Sequence, residues 1–106
     1  MAKVVFLVLE GCNKCQALKN KLNYFNTSFK FYDCDGVSDL CDEAENLTGV
    51  EMYPMAIVMD INDKIREIIY FTDDFDKVGK KIELVEGVTG FPVYSIDQMA
   101  DYVTKL

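Results

Sequence analysis

Cys12 and Cys15, with Asn13 and Lys14 between them, are the residues of this sequence best suited to chemistry. A cysteine thiolate is the nucleophile of thiol–disulfide exchange, and a second thiol close by can take over the bond it makes. Cys34 and Cys41 complete the cysteine set, and histidine is absent from the whole chain. Without histidine no imidazole can act as a base, and no zinc site can mix cysteine with histidine. An all-cysteine zinc site is disfavoured too, because the six residues between Cys34 and Cys41 exceed the usual knuckle spacing.

The elements around the pair decide what it can do. An unbroken apolar run, Val4-Val5-Phe6-Leu7-Val8-Leu9, stands just before it. Such a run reads as a strand buried on both faces. Glu10-Gly11 makes a turn, and Cys15, Leu18, Leu22 and Phe25 then fall on one helical stripe. The pair is therefore predicted at a helix N-terminus, where unpaired backbone N–H groups and the helix dipole favour an anion. Cys12, at the exposed edge, is expected to ionise near neutral pH, helped by Lys14 and opposed by Glu10. Cys15, further into the helix, is expected to be shielded and to resolve the mixed disulfide.

Further along, Thr27-Ser28 breaks the helix, and Phe29-Lys30-Phe31-Tyr32 alternates like a strand. A turn at 33–36 leads to a second helix, with Ser38 as its cap, Val37, Leu40, Cys41, Ala44 and Leu47 at helical spacing, and Gly49 as its stop. Met55 to Met59 reads as a buried strand, and residues 60–63 turn it into a partner running from Lys64 to Phe71. Ser95-x-x-Gln98 is a capping box, with Ile96, Met99, Ala100 and Val103 as the apolar face of a last helix. Between 72 and 94 the pattern is mixed. Residues 82–85 fit a short strand and 75–85 a short helix, while Gly87, Gly90 and Pro92 mark loop. The order β-α-β-α-β-β-α predicts an α/β fold with a mixed four-stranded sheet flanked by helices, in one domain over residues 1–106, with an insertion at about 72–93.

Composition narrows the classes. The net charge of −7 argues against binding nucleic-acid phosphate. Half the residues are hydrophobic, enough for a core without disulfide staples. No apolar run approaches the ~18 residues of a membrane span, and no small-residue cleavage site precedes Glu10. The expectation is a soluble cytoplasmic monomer. In a reducing compartment cysteines are more often catalytic or metal-binding than structural. Cys41, on an apolar stripe, is expected to be a buried inert thiol, and a Cys34–Cys41 disulfide is disfavoured.

The element order and the motif together resemble the glutaredoxin family, with its thioredoxin-like fold. The residues that carry the resemblance are Cys12-Asn13-Lys14-Cys15 after the first strand, Tyr53-Pro54 before the third, the hairpin that follows, and Asp97 at the start of the last helix. It covers residues 3–71 and 94–106. The sequence departs from the family in having Asn13-Lys14 where Pro-Tyr is usual, and Glu10 in the region of a basic residue. The resemblance implies a thiol–disulfide oxidoreductase that acts through Cys12 and Cys15, with no bound cofactor. Lys14, Tyr53, Pro54 and Asp97 would contact substrate. Pro54 would follow a cis bond facing Cys12, and Asp97 would take the glutathione ammonium group. The expected partners are disulfide-containing proteins, with glutathione, bound weakly, or a flavoprotein reductase as electron donor. Other readings of the same residues are a thioredoxin-type protein, an acidic adaptor using 72–94 as its surface, and an iron–sulfur or zinc site at Cys12.

Overall fold

A computed structural model describes residues 3–24, 29–36 and 38–106; the expectations for Phe25, Thr27-Ser28 and Val37 lie outside them. The apolar run becomes β1 (Lys3–Val8), with Val5 to Val8 buried. It lies between β2 (Lys30–Asp33), which is parallel to it, and β3 (Met55–Met59), which is antiparallel. Every residue of β3 is buried, as its unbroken apolar sequence requires. A turn at Asp60 joins it to antiparallel β4 (Ile65–Phe71). One Asp60 carboxylate oxygen accepts the N–H groups of Asn62 (2.8 Å) and Lys64 (3.0 Å), and the other meets Arg66 at 2.8 Å.

The sheet has six strands rather than the four expected. Residues 72–93 add β5 (Ile82–Val85) and β6 (Val88–Val93), which pair antiparallel with each other, and β6 docks parallel to β4. The strand order is β2-β1-β3-β4-β6-β5. Of the two readings of 75–85, the strand at its end forms and the helix does not. Gly90 and Pro92, expected in loop, lie inside β6. A Cβ on Gly90 would come 2.9 Å from the Tyr70 ring and 3.0 Å from Leu84, so neighbouring side chains already fill its space. The Pro92 carbonyl accepts the Gly79 N–H at 2.9 Å, beyond the last β5 pairing at Gly90. The missing proline N–H therefore faces a stretch where the ladder has ended.

Three helices pack on this sheet: α1 (Asn13–Tyr24), α2 (Asp39–Thr48) and α3 (Ile96–Thr104). The caps form where expected. Ser38 Oγ accepts the Cys41 N–H, Gly49 closes α2, and Ser95 Oγ accepts the Gln98 N–H at 3.0 Å. The Gln98 side chain reaches one residue past the cap, to the N–H of Tyr94. α1 and α3 pack against each other, and α2 packs on β4 and β5. Phe6, Leu7, Leu18, Ile57, Ile69 and Met99 are fully buried, and each such side chain contributes ~1.5–3 kcal/mol on leaving water.

Among the described residues one acidic side chain is buried beside this core. Glu67 of β4 is 8% exposed. The Tyr102 hydroxyl donates to its carboxylate, 3.0 and 3.1 Å from the two oxygens, and Thr89 (3.4 Å) and Lys81 (3.7 Å) complete its shell. Tyr102 also stacks on Phe91 at 3.8 Å between centroids, so the same group fastens α3 to β4 and β6.

The pairings determine where a site can form. β1, β2, β4 and β6 run one way and β3 and β5 run the other. Four strand C-termini and the start of β3 thus meet at one end of the sheet, the end that carries Cys12. Among the described residues no helix is long and apolar enough to cross a membrane.

Candidate active site

Gly11 makes the turn out of β1 with φ of 73°, a conformation that glycine adopts without penalty. The next residue, Cys12, occupies the N-cap position of α1. Its carbonyl accepts the Gln16 N–H at 3.1 Å, and its sulfur accepts the Cys15 N–H at 3.1 Å. The sulfur takes the place of the oxygen that a serine or threonine cap would supply. Cys12 is half-buried, whereas Cys15, one turn inward, is 2% exposed. The two are joined as a disulfide, with Cα atoms 5.2 Å apart. Of the two sulfurs, Cys12 is the one an incoming group can reach.

The start of β3 forms the opposite wall. The Tyr53-Pro54 bond is cis, as the resemblance implied. The Tyr53 carbonyl oxygen lies 3.8 Å from the Cys12 sulfur. Pro54 is fully buried behind it. The Tyr53 hydroxyl donates to Glu45 of α2, which holds the loop from behind. Burial raises the Tyr53 phenol well above its ordinary value, and Glu45, Asp42 and Glu51 add to the rise.

A cleft of about 360 Å³ beside the pair is lined by Glu10, Cys12, Cys15, Lys19 and Asp33 among others. The Glu10 N–H donates to Asp35 at 2.6 Å, and the Cys34 N–H donates to the Val8 carbonyl at 2.8 Å. The loop after β2 is thus bonded to the segment that leads into Cys12. The interaction between the two carboxyls lowers Asp33 and raises Asp35 from the usual carboxylate value, and the Asp35 N–H also donates to Asp33 at 2.9 Å. No family model and no curated protein matches this chain.

Not every predicted site residue gathers here. Cys12, Cys15, Tyr53 and Pro54 do. The Lys14 ammonium lies over the Phe71 ring at the end of β4, 4.9 Å from its centroid. Asp97 pairs with Lys21 at 2.7 Å and lines a separate cleft with Tyr94 and Gln98. The expectation for Cys41 is corrected. It is 3% exposed, but it is not a free thiol: Cys34 and Cys41 form a second disulfide, with Cα atoms 6.0 Å apart. The apolar stripe correctly puts Cys41 inside, and the fold brings the end of β2 against the first turn of α2, where Cys34 meets it. Glu45 and Asp35, which hold the two sides of the site, carry no motif in the sequence. The turn at 33–36 and the capped start of α2 are the sequence signals near them.

Proposed function

We propose that the chain is a glutaredoxin-like thiol–disulfide oxidoreductase with a thioredoxin-like core of β1 to β4 and the three helices, extended by the β5–β6 hairpin. One observation carries the reading: the Cys12 sulfur caps α1, 3.1 Å from the Cys15 N–H and bonded to a buried Cys15. In the reduced protein the same N–H and the helix dipole stabilise a thiolate on Cys12. That thiolate attacks one sulfur of a substrate disulfide. The substrate S–S bond breaks, its electron pair leaves on the other sulfur, and Cys12 is left in a mixed disulfide. Cys15, once deprotonated, attacks the Cys12 sulfur and expels the second substrate thiolate. Two electrons have then passed to the substrate, and the protein holds the Cys12–Cys15 disulfide. The Tyr53 carbonyl beside Cys12 supports an extended substrate segment bound by main-chain hydrogen bonds.

Glutathione or a flavoprotein reductase would return the two electrons. The site favours disulfide-containing proteins as substrates over small anionic thiols, because Glu10 and Asp33 line its cleft, with Asp35 bonded to the Glu10 N–H, against Lys19 as the single cation among the described lining residues. A cytoplasmic setting fits a dithiol kept reduced by such donors. The deciding experiment is NADPH-coupled reduction of a protein disulfide, with glutathione and its reductase in one arm and thioredoxin reductase in the other. Turnover that requires Cys12 in either arm is the expected result and identifies the donor. No turnover in both arms would leave the fold as an adaptor and overturn the proposal.

A further inference from the structure

We infer that Cys34–Cys41 is a second redox site, a clasp that opens in the folded protein and controls the reactivity of Cys12. The inference rests on the thiol–disulfide reading above and gives that chemistry a regulator. The clasp is tied to Cys12 from two sides. On one side the Cys34 N–H bonds the Val8 carbonyl at 2.8 Å, and the next residue, Asp35, accepts the Glu10 N–H at 2.6 Å. On the other side Cys41 lies in the first turn of α2, one turn before Glu45. Glu45 accepts the Tyr53 hydroxyl, and the Tyr53 carbonyl lies 3.8 Å from the Cys12 sulfur. The disulfide therefore closes a ring of contacts around the site: β2 end, Cys12 turn, Tyr53 loop, α2, and back to β2.

The two sulfurs differ in access. Cys34 is half-exposed and Cys41 is 3% exposed. An external dithiol, as its thiolate, attacks the Cys34 sulfur. The Cys34–Cys41 bond breaks, and its electron pair leaves on Cys41. Cys41 sits at the N-terminal turn of α2, where backbone N–H groups and the dipole favour the departing anion, with Asp39 and Asp42 acting against it. The second thiol of the reductant, losing its proton, then attacks its own partner sulfur and releases Cys34. The two protein sulfurs take up two protons, the dithiol becomes a disulfide, and two electrons have moved to the protein. Disulfides in reducing compartments are commonly of this transient, sensing type.

Opening has a direction. While closed, the clasp holds Asp35 against the Glu10 amide and keeps Asp33, Asp35 and Glu10 together beside the Cys12 turn. Carboxylates so placed raise the cost of negative charge on Cys12. Opening lets this wall relax, so the reduced clasp makes Cys12 the stronger nucleophile at neutral pH.

Two measurements test this. In the first, the double variant Cys12→Ser/Cys15→Ser is titrated with dithiothreitol, quenched in acid, and its thiols counted by maleimide mass shift, with circular dichroism recorded on the same samples. The wild type, mapped by peptide mass, serves as a control should the variant fold poorly. Two new thiols at unchanged dichroism are expected; reduction only in denaturant would make the disulfide purely structural and overturn the inference. In the second, iodoacetamide alkylation of Cys12 is followed against pH in Cys15→Ser with the clasp closed, and in Cys15→Ser/Cys34→Ser/Cys41→Ser. The neutral-pH rate is expected to rise by about threefold or more when the clasp is absent, with the pH profile displaced to lower pH. An equal or lower rate would overturn the coupling. Neither readout needs turnover, so a protein inactive as a reductase and a protein with an uncoupled clasp give different results.

Discussion

A sulfur in an N-cap position differs from a hydroxyl there in one property that matters here: it can carry a full charge near neutral pH. Cys12→Ser separates the two roles. Serine is itself a good cap, so the variant should unfold within ~1 kcal/mol of the reduced wild type, while disulfide reduction is lost. Cys15→Ser keeps the nucleophile and removes the group that attacks it, so mixed disulfides should accumulate on Cys12 and be visible as added mass. In the reduced wild type iodoacetamide should modify Cys12 first, because Cys15 and Cys41 are buried and Cys34, though half-exposed, caps no helix. Labelling of Cys41 ahead of Cys12 would make the assignment wrong. These residues were legible in the sequence because the signal is local: an apolar run, a turn, two cysteines and a helical stripe within about two dozen positions. The Glu45–Tyr53 bond was not. It joins two residues with no shared pattern, and only the seating of α2 beside the Tyr53 loop brings them together. The Cys34–Cys41 disulfide runs against the expectation drawn from a reducing compartment, and the reading of Cys41 as inert rests on its apolar stripe alone.

Between elements, two groups hold the sheet that presents the site. The first is Glu67 with Tyr102. Tyr102→Phe keeps the stack on Phe91 and removes the hydroxyl that reaches both carboxylate oxygens. A buried charged acceptor that loses a donor destabilises by ~1–3 kcal/mol, which urea unfolding should report; a change within error would mean that Thr89 and Lys81 suffice. The second is Asp60 in the β3–β4 turn. The Lys64 N–H, then the Asn62 N–H and Arg66, hold its carboxyl below the usual aspartate value. A depressed carboxyl contributes stability that is present above its unfolded value near 3.8 and lost as pH falls through the folded value. Asp60→Asn should therefore be less stable than wild type at neutral pH and lose less of its stability on acidification, the two curves converging at low pH. Curves that stay parallel would show that the turn takes no strength from this charge. The hairpin itself was legible from its two apolar runs and polar turn. β6 was not, since glycine and proline ordinarily stop strands. Gly90 is permitted by the tight approach of Tyr70 and Leu84, and Pro92 by the end of β5, and both conditions are tertiary.

Across the molecule, charge bears on which reductant the proposed oxidoreductase would take. The chain carries −7 overall, and the surroundings of Cys12 share that sign: Glu10, Asp33 and Asp35 on one side, Asp42, Glu45 and Glu51 around Tyr53 on the other. Lys19 is the one cation among the described residues lining the cleft. Lys14 lies over Phe71 and Lys19 over Phe31, and Asp97, a candidate for the glutathione ammonium, is paired with Lys21. Glutathione is anionic, so its approach to Cys12 is opposed. Solvent weakens this opposition without removing it. Because these carboxylates are largely exposed, salt should screen them, with the Debye length falling from ~8 Å at physiological strength to ~3 Å at 1 M. Glutathione should therefore act weakly, with a KM that decreases as salt is added. Glu10→Lys reverses one charge in the wall of the cleft and should lower that KM severalfold at low salt, with the advantage shrinking as salt rises. The check is the glutathione-dependent rate of the two proteins across a sodium chloride series at one pH. Saturation at low glutathione in the wild type, indifferent to salt and to Glu10→Lys, would mean that a lysine such as Lys19 in the cleft or Lys14 beside it supplies a carboxylate site, and the electrostatic account would fail.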